Sequence, residues 1–114
     1  LFQRALVIAE KALGPEHPDV GTRLNNLAVF YDAQGRYAES EPLYRRALVI
    51  GEKALGPDHP DVGTRLNNLA VLYYVQRDWA RAVDYWRRSA EVIIRRARAP
   101  HPVSFREVPR QALR

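Results

Sequence analysis

The chain has 114 residues, of which 46% are hydrophobic and 27% charged, and a formal net charge of +5. That is the balance of an ordinary soluble domain with one modest core, and no apolar run approaches the roughly 20 residues that span a bilayer. Cysteine is absent, which removes disulfides and thiolate metal sites and fits a reducing, cytoplasmic setting.

The first element is a helix over about 1–13, closed by Gly14-Pro15. Much of it returns later in the chain. Residues 4–29 are repeated at 46–71, a displacement of 42, with only Ala9→Gly51 and Glu16→Asp58 differing. A period of this length marks a solenoid of stacked units that share a core. The leading helix then reads as the second half of a truncated unit. A chain that opens at Leu1 and holds no methionine is expected to be a piece of a longer protein.

His17-Pro18-Asp19 ends the first loop, and Asp19 is the expected N-cap of the next helix. That helix runs from about Val20 to Gln34, with Leu24, Leu27, Ala28 and Tyr31 as its apolar stripe. Gly35-Arg36 is a tight turn in which glycine takes the left-handed conformation. The second helix of the hairpin runs from about Tyr37 to Leu55. Its stripe is Tyr37, Ser40, Tyr44, Ala47, Leu48 and Ile50. Gly56, Pro57 and Pro60 break it, and Asp61 restarts the cycle. The first full unit is therefore 20–55 and the second 62–97.

The second unit departs from the first as it proceeds. Gly35 of the turn gives way to Arg77-Asp78. The helix from Trp79 to Arg96 sets Val83, Trp86, Ala90, Ile93 and Ile94 on one face and Arg81, Arg87, Arg88, Arg95 and Arg96 on another. Something is expected to cover Ile93 and Ile94. Charge is lopsided to match: residues 77–114 hold ten arginines against four acids, whereas residues 1–76 are nearly balanced. His101-Pro102 stays in register with His17-Pro18 and His59-Pro60. Residues 103–114 then form a degenerate tail or cap, in which Ser104 and Glu107 make a potential capping box and Pro109 limits any helix.

The pattern Leu24, Leu27, Ala28, Tyr31, Gly35, Tyr37, Ser40, Tyr44, Ala47, matched again by Leu66, Leu69, Ala70, Tyr73, Trp79, Ala82, Trp86, Ser89, resembles the tetratricopeptide repeat. The unit is eight residues longer than the usual 34. The extra length lies in the second helix and in "EKALGPDHPDV", as in the kinesin-light-chain subclass, which bacteria also use widely. The resemblance implies an all-α, right-handed superhelix of antiparallel helix hairpins and a protein-binding scaffold without catalysis or cofactor. First helices of this family line a concave groove that takes an extended peptide or a partner helix. By that correspondence the groove face is Thr22, Asn25, Asn26, Val29 and Ala33, then Thr64, Asn67, Asn68, Val71 and Val75. Asn26 and Asn68 match best the position that pairs with ligand backbone, since an amide both donates and accepts. Arg23 and Arg65 fall at the groove edge. The alternative reading of the asparagines is structural, an amide bonded to the neighbouring helix that sets the stacking angle.

The remaining features read as architecture. The three histidines recur in loops, and equivalent points on successive hairpins stand far apart compared with the roughly 2 Å of a metal bond, so no metal is expected. They are expected to bond to loop backbone. Tyr31, Tyr37, Tyr44, Tyr73, Trp79 and Trp86 sit on the packing pattern and are expected in the core, with Tyr74 and Tyr85 partly exposed. The expected partner is a protein or peptide, with no membrane. Self-assembly through raw array ends, as a homo-oligomer, is the first alternative. Nucleic acid or an acidic partner at the arginine-rich region is a minor one, and no aromatic interleaving of the kind that reads nucleic acid accompanies the charge.

Overall fold

The computed structural model describes residues 2–98; the expected tail at 103–114, with its capping box, lies outside them. Five helices follow one another: α1 (Phe2–Leu13), α2 (Pro18–Ala33), α3 (Tyr37–Leu55), α4 (Pro60–Val75) and α5 (Trp79–Arg98). Each packs on the next, so α2–α3 and α4–α5 are hairpins, and α1 packs on α2 as α3 packs on α4. The fold is an all-α helical repeat.

Both first helices begin two residues earlier than the sequence indicates, and the cap is not the aspartate. Pro18 and Pro60 stand at the first helical position, where a missing N–H costs nothing. The caps are His17 and His59: each Nδ1 accepts the backbone N–H of Asp19 or Asp61 at 3.1 Å. Asp19 and Asp61 are the second helical residues, whose amide a cap ordinarily bonds, and here the imidazole Nδ1 serves as acceptor in place of the usual side-chain oxygen. The aspartates remain in the first turn, where their charge complements the helix dipole.

The hairpin turns repeat in backbone but not in residue. Gly35 takes φ +74°, and Arg77, its counterpart, takes φ +64°. A side chain in that region costs about 1 kcal/mol that glycine does not incur.

The core is built in two connected clusters. Leu6, Ala9, Val20, Leu24, Leu27, Tyr31, Ala47 and Ile50 form one. Ala28, Tyr44, Leu48, Val62, Leu66, Leu69, Leu72, Tyr73, Ala82 and Val92 form the other, and Leu43 packs against both. Their tyrosines carry polar ends to fixed partners. Tyr44 donates to Asp32 Oδ2 at 3.3 Å, and Tyr73 donates to Glu41 Oε1 at 2.6 Å while accepting from Arg45. Burial, then the adjacent carboxylate, raises both phenol pKa values. Tyr31 accepts from Gln3, which stands where Arg45 stands one unit on. Small residues allow close approach: Ser40 and Ser89 are buried, and Ser89 Oγ donates to the Gly63 carbonyl at 3.0 Å.

Trp79 and Trp86 are not core residues. Trp79 is 55% exposed, and both rings lie against Tyr74, at centroid distances of 5.3 and 5.5 Å. The pattern positions they occupy are covered in the first unit by the following helix α4; beyond α5 no described helix covers them. The same reason places Val83, Ile93 and Ile94 outside: α5 buries Ala82, Ser89 and Val92 instead.

Arg65 is the largest departure. Expected at a groove edge, it is 5% exposed. Its guanidinium lies between α2 and α3 and donates to the Ala47 carbonyl at 2.7 Å. A methyl group added at Gly51 would stand 2.8 Å from its Nη1, and one added at Gly21 3.0 Å from it. Arg23, the same residue of the preceding unit, has Ala9 in place of Gly51 and is exposed. Glycine at 51, where the first copy has Ala9, leaves room for the buried arginine, and no described helix stands before α1 as α2 stands before α3.

Arg65→Ala is expected to cost about 2–3 kcal/mol in urea unfolding, through a void and a lost buried bond, whereas Arg23→Ala should stay within about 0.5 kcal/mol. Arg77→Gly should raise stability by about 0.5–1 kcal/mol in the same assay by relieving the left-handed arginine.

Candidate functional site: the first-helix face and its junctions

α2 and α4 lie one unit apart and present corresponding side chains. Their exposed residues include Thr22, Asn26, Val29 and Ala33 on α2, and Thr64, Asn67, Val71 and Val75 on α4. The spacing i, i+4, i+7, i+11 puts Thr22, Asn26, Val29 and Ala33 along one stripe, and Thr64, Asn68, Val71 and Val75 along its copy. Both threonine hydroxyls are turned back on their own helix, donating to the Pro18 and Pro60 carbonyls at 3.3 and 3.2 Å. Their methyl groups and the valines make the stripes largely apolar.

The four asparagines divide by position. Asn68 Nδ2 donates to Asn25 Oδ1 at 3.2 Å, a bond across the junction of the two units. Asn67 Oδ1 accepts the Trp86 indole N–H at 2.9 Å. Asn26 is exposed and borders a shallow cleft with Asp19, Thr22 and Arg23. A second cleft, of about 180 Å³, lies between the units and is bordered by Thr22, Asn25, Asp61, Thr64 and Arg65. Asn25 and Asn68 thus take part in stacking, the structural alternative raised by the sequence. The bond uses only one polar end of each amide. Burial lowers the pKa of Arg65, and nearby Asp61 works the other way; an arginine starts so high that it stays cationic at neutral pH.

The arginines of α5 do not form one open field. Arg81 lies 3.5 Å from Asp78, Arg87 2.7 Å from Asp84, Arg95 2.5 Å from Asp58 and Arg88 3.9 Å from Glu52. Arg88 also covers the ring of Tyr85, itself half-buried, and Arg81 that of Tyr73. Each carboxylate dilutes the positive potential of its neighbour. Among the described residues, Arg96 has no such partner within ion-pair distance, and it borders a cavity between α4 and α5. Sequence reasoning missed both that cavity and the Arg65 socket. The only available signal was the Ala9→Gly51 difference, which is informative once Arg65 is known to lie beside it.

The sequence model of the tetratricopeptide repeat matches residues 1–48 and 24–95. The chain belongs to the tetratricopeptide repeat family. Its repeats are of the kinesin-light-chain-like type. The crystal structure of BtubC (BKLC) from P. vanneervenii superposes with a TM-score of 0.76 at 30% identity, over 80% of this chain and 36% of that one. A putative kinesin light chain of Podospora anserina with nearly identical repeats superposes at 0.75 and 26% identity, over 89% of this chain and 48% of that one. The array thus spans half or less of each of these chains. No curated protein matches it. Tetratricopeptide repeats are protein-interaction modules, and no described helix here is long and apolar enough to cross a membrane.

Asn25→Ala and Asn68→Ala are each expected to cost about 1 kcal/mol in urea unfolding, with a double-mutant coupling of about 0.5–1 kcal/mol; strictly additive losses would show that the amides do not bond in solution.

Proposed function

We propose that this tetratricopeptide array is a non-catalytic scaffold that holds an extended segment of a partner protein along the exposed first-helix stripes of α2 and α4. The observation that carries this reading is the Asn25–Asn68 bond across the junction. It engages the Nδ2 of Asn68 and the Oδ1 of Asn25. The Oδ1 of Asn68 and the Nδ2 of Asn25 are left to pair with a peptide unit, which offers one N–H and one C=O. Each amide thus keeps one polar end, an acceptor on Asn68 and a donor on Asn25, of the kind that fits a main chain whatever its side chains. Asn26 repeats the amide one unit earlier, beside Arg23.

Thr22 and Val29, then Thr64 and Val71, supply apolar contact on either side of these polar points. Such a mixed surface fits a peptide that alternates its side chains between groove and solvent. Burial of Val29 and Val71 contributes affinity, and the amides set orientation. The absence of cysteine supports a reducing, cytoplasmic setting for this interaction.

Peptides selected from a random library against the array should lose about ten-fold or more in affinity for the Val29→Glu/Val71→Glu variant, measured by fluorescence anisotropy. Both valines are exposed, so circular dichroism should be unchanged. Peptides that bind this variant as well as the parent would sink the groove reading.

A further inference from the structure

The cavity between α4 and α5 has a volume of about 370 Å³ and is bordered by Gly63, Asn67, Ser89, Ile93 and Arg96 among others. One 42-residue period earlier these positions are Gly21, Asn25, Ala47, Gly51 and Ala54. There a helix, α4, is seated. Its Arg65 lies beside Gly21 and Gly51 and donates to the Ala47 carbonyl, and its Asn68 donates to Asn25 Oδ1. Tyr73, further along the same helix, donates to Glu41. The upstream seat therefore takes donors from the helix that fills it: a guanidinium, an amide and a phenol.

At the end face made by α4 and α5 each of these points has changed. Arg96 brings a cation to the cavity where Ala54 stands upstream, and among the described residues no carboxylate lies within ion-pair distance of it. Asn67 Oδ1 is taken by the Trp86 indole N–H, which can only donate. The Asn67 amide is left with Nδ2, a donor where Asn25 offers Asn68 an acceptor. Exposed Val83 stands at the place of Glu41, so the acceptor for a phenol is gone. Ile93 replaces Gly51, and a methyl alone at Gly51 would come within 2.8 Å of the Arg65 guanidinium. A helix like α4 would be obstructed, repelled and left unpaired here. The face is matched to a helix that brings acceptors in place of donors.

We propose that this end face docks an acidic amphipathic helix of a partner protein, seated as α4 is seated on α2 and α3, with one carboxylate on Arg96 and a second acceptor on Asn67. The orientation follows from the upstream junction. Val62 stands 3.6 Å from a methyl built on Gly51, late in α3, and Tyr73 reaches Glu41 near the start of α3. A helix so placed runs antiparallel to α5, with its first turns at Ile93 and Arg96 and its last at Val83. Relative to α4 it carries an acid at the place of Arg65, an acid three residues later at that of Asn68, and a purely apolar residue at that of Tyr73. Acids in those first turns also suit the helix dipole. This surface closes the end of the array, and the inference does not rest on the stripes proposed for the extended segment.

Two synthetic peptides with the α4 sequence, Pro60–Val75, test this against the full chain. One is unaltered, and the other carries Arg65→Glu, Asn68→Asp and Tyr73→Phe. By fluorescence anisotropy the altered peptide should bind about ten-fold more tightly, and Arg96→Glu in the chain should remove most of that difference. Ile93→Gly/Arg96→Ala, which restores the upstream residues, should shift preference toward the unaltered peptide. Both side chains are exposed, so circular dichroism should report the same helical fold in these variants. The chain has no cysteine, so cross-linking locates the peptide. An altered peptide that also carries Val62→Cys should form a disulfide with Ile93→Cys in the chain and not with Val29→Cys on the α2 stripe, because disulfide geometry is demanding. Equal affinity of the two peptides, affinity indifferent to Arg96→Glu, or cross-linking at position 29 would overturn the proposal. So would failure of both peptides to bind, the result if the chain itself or a second copy fills this face.

Discussion

The array depends on a guanidinium buried where two helices leave it no more than the width of a glycine. Arg65 lies between Gly21 and Gly51, held by the Ala47 carbonyl. Burying a cation is unfavourable, and the lowered pKa of Arg65 records that cost. It persists because the long apolar stem fills the junction while one donor is satisfied. It also makes α2, α3 and α4 one packed object, since the arginine of one unit touches both helices of the preceding one.

That contact has consequences for the surface that could bind a partner. With the units locked, α2 and α4 hold their exposed stripes in fixed register, and the Asn25–Asn68 bond reports the same register a few residues further along. A ligand meeting this face would meet amides already oriented by the junction. Preorganisation of that kind reduces the ordering cost of binding. The α5 side differs. Trp79 and Trp86 stand at the places of Tyr37 and Tyr44 in the repeat but have no described helix after α5 to cover them, so both pack on Tyr74 instead. The arginines are mostly matched by carboxylates, some on the same helix and some from the preceding unit.

The five helices and their hairpin order were legible because the signals are local. Proline and glycine punctuate the loops, and Leu24, Leu27, Ala28 and Tyr31 recur at helical spacing. Buried Ser40 and Ser89 were legible for the same reason, as small residues on an apolar stripe. Asp19 as cap was misread because Pro18, pre-set for the first helical position, starts the helix earlier and places Asp19 second in it, which leaves His17 as the cap. Trp79 and Trp86 were misread because a repeat pattern records what a residue faces in a continuing array. At the last described helix that neighbour is missing.

The sequence by itself determined the class of the molecule: a 42-residue period, two helices per period, and turns at Gly35 and Gly56 are properties of the chain and its local backbone preferences. It also determined that identical segments must form identical helices. What it could not decide is why Arg23 and Arg65, alike in their immediate neighbours, end up on opposite sides of the surface. Only the tertiary structure resolves that: Arg65 enters between α2 and α3, beside Gly21 and Gly51, whereas α1 carries Ala9 at the place of Gly51 and has no described helix before it to complete such a socket for Arg23. A methyl group at Gly51 would crowd the Arg65 guanidinium, because close-packed atoms leave less than a methyl's width there. The same reason explains why the asparagines could be placed on a face from sequence, while their division between stacking and display waited on the helix across from them.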